Sequence, residues 1–112
     1  MTETENRIQQ SAFMWFHNTY PEYRGLFFRV KNEGHSRISG AIGKATGIIP
    51  GVSDMIMLLP FGKVMFFEFK IETGRQSNSQ KAWQSIIEKV GYNYYLVHSL
   101  KEFQRICQEI GL

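Results

Sequence analysis

The stretch VMFFEFK, residues 64–70, decides the predicted fold. Apart from Glu68 it is apolar up to Phe69, which is typical of a strand covered on both faces. Because side chains two positions apart share one face of a strand, Glu68 and Lys70 are expected to point the same way. A carboxylate and an ammonium on a buried strand are costly unless they are paired or bind a metal ion. The stretch therefore predicts a buried strand that also carries chemistry.

A second acid, Asp54, precedes this stretch in a predicted β-hairpin. Residues 52–59 read as a strand and residues 60–63, PFGK, as the turn that follows it. The hairpin would bring Asp54 close to Glu68 and Lys70, and such a set suits a divalent cation and an activated water. Two simpler interpretations stay open: Asp54 as an ordinary turn residue, and Glu68 with Lys70 as a structural ion pair.

The other elements give the predicted order α-β-β-β-α-β-α. Capping patterns mark the starts of three helices, at Thr2 with Glu5, Ser77 with Gln80, and Ser99 with Glu102. Further strands are predicted over residues 26–30 and 92–97, and Tyr94 in the second of them is interpreted as a packing residue. Residues 31–51 contain five glycines and are predicted to be a long functional or mobile loop. The pattern predicts one α/β domain over residues 1–112, a mixed β-sheet flanked by helices.

Apolar residues at helical spacing predict the buried faces of these helices. In the last helix, Cys107 falls into such a face and is expected to pack rather than to react. The predicted faces are Ile8, Ala12, Trp15, Phe16 and Thr19 in the first helix; Ala82, Trp83, Ile86, Ile87 and Val90 in the second; and Phe103, Ile106, Cys107 and Ile110 in the last.

Composition excludes several classes of protein. Hydrophobic residues make up 43% and charged residues 21%, ordinary values for a folded domain. The net charge of +3 is compatible with nucleic acid but shared by many proteins. A single cysteine excludes an internal disulfide and a cysteine-based zinc cluster. The chain shows no secretory leader and no apolar run near 18 residues, so we expect an intracellular protein that does not enter a membrane.

Four short motifs resemble those of one nuclease family, in the same order and at roughly the same spacing. They are Asn32-Glu33-Gly34, residues 47–54 (GIIPGVSD), Glu68-Phe69-Lys70, and Gln80-Lys81-Ala82-Trp83. A lone E-x-K would be weak, but four motifs on a predicted strand-turn-strand-helix are specific. From Glu5 to about Ser99 the chain resembles the VRR-NUC (virus-type replication-repair nuclease) domain, a branch of the PD-(D/E)xK superfamily.

The resemblance implies a restriction-endonuclease-like fold and phosphodiester hydrolysis with Mg²⁺ or Mn²⁺. It implies that Asp54, Glu68 and the carbonyl of Phe69 hold the metal ion, and that Lys70 orients and helps to deprotonate the attacking water. Glu5 matches the acid of the family's first helix and is preferred to Glu3. Gln80 matches the glutamine of the second helix, which supports Lys70 or the nucleotide. Glu5 and Gln80 also fit capping boxes, and that alternative stays open for both.

The resemblance further implies a DNA substrate, with branched DNA such as Holliday junctions or flaps as the expected form. It also implies a homodimer, as in stand-alone viral and phage proteins of this kind, a role in replication, repair or recombination, and a host-cytoplasm location if the chain is viral. The candidates for DNA contact are Lys31, Asn32, Arg37 and Lys44, although a solvated loop would carry similar charges. A binding module without cleavage is the main alternative, and a structural subunit is a weaker one.

Overall fold

The computed structural model describes residues 3–30 and 37–112. Its helices are α1 (Glu3–Thr19), α2 (Arg37–Ala45), α3 (Asn78–Lys89) and α4 (Leu100–Ile110). Its strands are β1 (Phe27–Arg29), β2 (Met55–Leu59), β3 (Lys63–Phe69) and β4 (Asn93–Val97). Short 3₁₀ turns follow α1 and join β2 to β3. Helix α2 adds one element to the predicted order, within the segment that was expected to be a loop throughout.

The strands form one mixed sheet in the order β1-β2-β3-β4. Antiparallel pairing joins β1 to β2 and β2 to β3, while β3 and β4 run parallel with α3 as their crossover. The predicted hairpin is thus confirmed, but β2 begins at Met55, so Asp54 stands just before the strand rather than within it. The chain turns at Phe61 and Gly62, both with positive φ, which lets β3 return beside β2.

Aromatic packing fixes α1 and α4 on one face of the sheet. The ring of the fully buried Phe103 in α4 lies between rings from α1 and from two of the strands. These partners are Trp15, Phe16, Phe27, Phe67 and Phe69. As predicted, Cys107 is buried in the same layer. Side chains alternate along a strand, so the neighbours of Phe67 and Phe69 are directed to the other face.

Helix α3 covers that other face, through Trp83 against Phe66 and Tyr94. The Ser77 capping box that starts α3 is confirmed, with both reciprocal hydrogen bonds present. The apolar face predicted for α3 is largely wrong. Only Ile87 of that face is buried and Trp83 is half-buried, whereas Ile86 and Val90 are 61% and 70% exposed. Helical spacing locates a stripe of apolar residues, but the sheet decides which part of the stripe it covers.

The other capping predictions have different outcomes. At α4, the Ser99 side chain accepts from the Glu102 backbone N–H as predicted. Thr2 lies outside the described residues, so its predicted cap on α1 stays a prediction. Thr19, predicted on the buried face of α1, is exposed. No helix within the described ranges is both long and apolar enough to span a membrane.

Gly51 fixes the approach of the loop before β2 to the start of α3. Its φ is +83°, and a Cβ added there would overlap the backbone carbonyl of Ser79. We expect Gly51→Ala to lower the free energy of unfolding by about 3 kcal/mol or more. Gly25→Ala is the matched control, because Gly25 has φ +88° with nothing within 4 Å of an added Cβ. It should lose about 1–2 kcal/mol from backbone strain alone. Equal losses in urea unfolding would show that the Gly51 contact is unimportant.

Candidate active site

Asp54 is held at the open end of the β2–β3 hairpin. Its backbone carbonyl accepts from the Val30 N–H at 2.9 Å, which ties it to the end of β1. Its Oδ2 accepts from the Phe69 backbone N–H at 2.7 Å. The preceding Ser53 is buried, and its hydroxyl donates to the Met55 carbonyl at 3.3 Å. These contacts fix the Asp54 carboxylate across the hairpin from Glu68.

Glu68 is the most deeply buried acid of the described residues, with 1% of its surface exposed. Strand alternation directs it to the α3 face of the sheet, away from the Phe103 core. Its Oε2 accepts from Gln80 Nε2 at 3.0 Å and its Oε1 from the Tyr94 hydroxyl at 3.4 Å. The carboxylate is therefore held through both oxygens by side chains of α3 and β4.

The carboxyl groups of Asp54 and Glu68 lie close enough to perturb each other's titration. Burial, together with the Asp54 carboxyl, raises the pKa of Glu68 to about 9, although Lys70 and Tyr94 act to lower it. Burial also raises the pKa of Asp54, while its interaction with Glu68 and the hydrogen bond from the Phe69 N–H act in the opposite direction. Two carboxyls this close retain a proton between them unless a cation takes its place.

Lys70 and Glu5 complete the charged cluster. Lys70 follows the last residue of β3, and its N–H donates to the Val97 carbonyl at 3.0 Å. Its Nζ lies 3.7 Å from Oε1 of Glu5, and the side chains are only 15% and 8% exposed. Glu5 comes from α1, so the cluster joins that helix to the hairpin. As ionised groups, three acids and one lysine leave an excess of two negative charges, which matches one divalent cation.

Gln80 makes the capping contact that the sequence left open, and its amide also holds Glu68, where support of Lys70 or the nucleotide was predicted. Its Oε1 accepts from the Ser77 N–H at 2.8 Å, which closes the capping box of α3. Its Nε2 donates to Glu68 at the same time. One amide thus caps the helix and holds the acid.

Tyr94, interpreted from sequence as a packing residue, is part of this site. Besides its bond to Glu68, its hydroxyl accepts from Gln76 Nε2 at 3.2 Å. Gln76 also donates to Gln84, and Gln84 to Glu88. A four-residue spacing of polar residues, Gln76, Gln80, Gln84 and Glu88, was the available signal in the sequence.

A polar cleft of about 250 Å³ opens beside Asp54 and Gln80, and its other lining residues include Gln9, Arg29 and Ser79. Within the described part of the chain, the buried Oε1 of Gln9 has no hydrogen-bond partner. Gln9 lies one helical turn after Glu5 on α1, a spacing that could have marked it.

Two of the four predicted DNA-contacting residues lie in the described part of the chain. Lys31 and Asn32 lie outside the described residues. Arg37 begins α2, and Lys44 is exposed in the last turn of the same helix.

The acid pair suits a hard cation such as Mg²⁺ or Mn²⁺, which prefers carboxylate and carbonyl oxygens. No third histidine, cysteine or acid in the described ranges joins the pair in a group that could hold a metal ion. The further protein ligand that the VRR-NUC resemblance implies is the backbone carbonyl of Phe69, between Glu68 and Lys70.

A solved structure described as "VRR_NUC domain" superposes on this chain with a TM-score of 0.64. The match covers 96% of this chain and 97% of the other, at 23% sequence identity. The chain has the VRR-NUC fold. No family model and no curated protein matches its sequence. The predicted VRR-NUC resemblance and the mixed sheet flanked by helices are thus confirmed at the level of the fold.

The raised pKa of Glu68 predicts a pH dependence for this VRR-NUC fold. Between the ordinary value of 4.5 and about 9, the folded state binds more protons than the unfolded state. In a chelator, the free energy of unfolding should therefore fall as the pH rises through this window, by up to ~1.4 kcal/mol per unit from this group. Urea unfolding from about pH 5 to about pH 8 measures the slope.

Glu68→Gln should flatten that slope, since the amide does not titrate. Glu72→Gln, which removes an exposed acid, is the control and should keep the wild-type slope. If the Glu68→Gln and wild-type slopes are the same, burial of Glu68 is not the source of the pH dependence.

Proposed function

We propose that this chain is a divalent-metal-dependent DNA endonuclease that hydrolyses phosphodiester bonds. The observation that carries the proposal is the close pair of Asp54 and Glu68 beside Lys70, each acid held by hydrogen bonds from neighbouring groups and Glu68 fully buried. Two acids that face a polyanion repel it unless a cation lies between them. A domain that only bound DNA would gain nothing from such a pair. The fold adds support, because the solved structure that shares it is described as a VRR_NUC domain.

In the proposed reaction, Asp54, Glu68 and the Phe69 carbonyl would hold Mg²⁺ or Mn²⁺. When bound, the cation would stabilise the negative charge that develops on the phosphate and lower the pKa of a water. Lys70 orients the attacking water and helps to deprotonate it, and Glu5 keeps the lysine in place through the 3.7 Å ion pair. Gln80 fixes the Glu68 carboxylate. Lys31, Asn32, Arg37 and Lys44 are proposed to contact the DNA backbone.

Substitution of the cluster tests this assignment. Asp54→Asn, Glu68→Gln and Lys70→Met each preserve approximate shape and should reduce cleavage by roughly 10²–10⁴-fold. The assay uses a fluorescent four-way junction, a flap and a plain duplex, each with Mg²⁺, Mn²⁺ or EDTA. Glu72→Gln is the matched control and should retain activity. A preference for the junction or flap over the duplex would support the proposed branched substrate.

Glu5→Gln separates the catalytic and capping roles of Glu5. A loss of cleavage with unchanged melting temperature supports its role in holding Lys70. Full activity would mean that Glu5 only caps the first helix. Cleavage that survives the Asp54, Glu68 and Lys70 substitutions would refute the site. Salt-sensitive binding without any metal-dependent cleavage would favour the binding module instead.

We also propose that the chain acts as a homodimer through the exposed apolar face of α3. Ile86 lies on that helix, Val90 one turn later is its C-terminal cap, and Tyr92 just after it is 44% exposed. The same helix supplies Gln80, so a two-fold pair built on α3 would bring two sites onto one DNA molecule. A domain of 112 residues has little surface of its own for gripping a duplex.

The double substitution Ile86→Asp with Val90→Asp should convert the dimer to monomer, because it places charges in an apolar interface. Light scattering should give twice the 13.0 kDa chain mass for wild type and the chain mass for the variant. Phe61→Asp, at a fully exposed turn, is the control and should stay dimeric. A wild-type monomer on DNA would contradict the dimer.

A further inference from the structure

A row of hydrogen-bonded side chains runs along α3 and through Tyr94 to Glu68. Gln84 Nε2 donates to Glu88 Oε2 at 3.3 Å, and Gln84 Oε1 accepts from Gln76 Nε2 at 2.9 Å. The same Gln76 nitrogen donates to the Tyr94 hydroxyl at 3.2 Å. That hydroxyl donates to Oε1 of Glu68 at 3.4 Å. The row thus begins at an exposed carboxylate and ends at a buried acid of the candidate active site.

The chemistry of these groups gives the row one direction. An ionised carboxylate at Glu88 only accepts, so Gln84 presents its NH₂ group to it and its oxygen to Gln76. Gln76 must then use its own NH₂ group, whose two hydrogens serve Gln84 and Tyr94. The Tyr94 oxygen accepts one of these hydrogens, and its own proton is left for Glu68.

We propose that Tyr94 is a positioning residue whose hydroxyl, oriented by Gln76, fixes Glu68 for cation binding. The proposal rests on the proposed function, since it assigns a role in the same metal site. Gln80 holds one oxygen of Glu68 and Tyr94 the other, so the carboxylate cannot rotate out of the site. Each oxygen keeps a further lone pair for a cation. The Tyr94 ring is fixed by burial and by Trp83 at 6.3 Å.

Mn²⁺ binding, measured by the loss of the free-ion electron paramagnetic resonance signal, tests the row without DNA. Tyr94→Phe keeps the ring and removes the hydroxyl, and it should weaken Mn²⁺ binding by roughly tenfold, as expected when a partner of a metal ligand is lost. Tyr95→Phe is the matched control. Tyr95 is next in β4, but its ring stacks on Phe67 on the opposite face, and this variant should bind as wild type.

Gln76→Glu tests the direction of the row. A carboxylate at position 76 only accepts, so it would draw the Tyr94 proton away from Glu68 and weaken Mn²⁺ binding by a similar factor. Added negative charge alone would strengthen cation binding, so the two explanations predict opposite signs. In the Tyr94→Phe background, Gln76→Glu should cause no further loss of Mn²⁺ affinity, because no hydroxyl remains whose orientation it could change.

Cleavage provides a second readout. For Tyr94→Phe, the Mn²⁺ concentration that gives half-maximal cleavage should rise about tenfold, while the rate at saturating Mn²⁺ stays near that of wild type. A general loss of folding would lower both the rate and the melting temperature in EDTA. If Tyr94→Phe does not fold, Gln76→Glu still decides the question, because it changes a half-buried residue before α3.

The outcomes separate this proposal from the proposed function. Wild-type Mn²⁺ affinity in Tyr94→Phe, with wild-type cleavage intact, would overturn the positioning role alone. An equal loss from Gln76→Glu with and without the Tyr94 hydroxyl would overturn the direction of the row. A wild-type protein that neither binds Mn²⁺ nor cleaves DNA would overturn the proposed function and the positioning role together.

Discussion

The close approach of two buried carboxyls is the constraint on which the arrangement around the hairpin depends. Asp54 and Glu68 would repel each other as ions, and burial adds to the cost of charging them. The fold surrounds the pair with donors, namely the Phe69 N–H, the Gln80 amide and the Tyr94 hydroxyl. Donors alone do not remove the excess charge, so a proton or a cation must share the site.

One face of the sheet contributes mainly to stability, and the other carries the candidate active site. On one face, Phe103 and its aromatic partners form a buried apolar layer between the sheet and helices α1 and α4. This layer fixes the position of β3. On the other face, Glu68 projects from that fixed strand toward α3. Helix α1 serves both, because Phe16 enters the aromatic layer while Glu5, three turns earlier, reaches Lys70. A rigid layer behind a polar site limits how far its ligands can move.

Much of the site followed from local sequence rules. Alternation in residues 64–70 predicted that Glu68 and Lys70 share a direction, and the hairpin turn predicted the approach of Asp54. The Ser77 pattern predicted the start of α3 and therefore the placement of Gln80. Helix α2 was missed because its glycines favour a loop. The buried face of α3 was wrong because its apolar stripe is wider than the part that the sheet covers, so Trp83 and Ile87 pack while Ile86 and Val90 stay exposed.

The contact of Tyr94 with Glu68 could not be predicted from local sequence. Tyr94 lies 26 residues from Glu68, and the two meet only because β4 pairs parallel to β3 in one register. The sequence by itself determined the strands, the helix caps at Ser77 and Ser99 and the identity of the acids, because these depend on interactions over a few residues. Tertiary structure decided which face of α3 is covered and which hydroxyl holds Glu68, because strand register and helix rotation are set by the packing of the whole core.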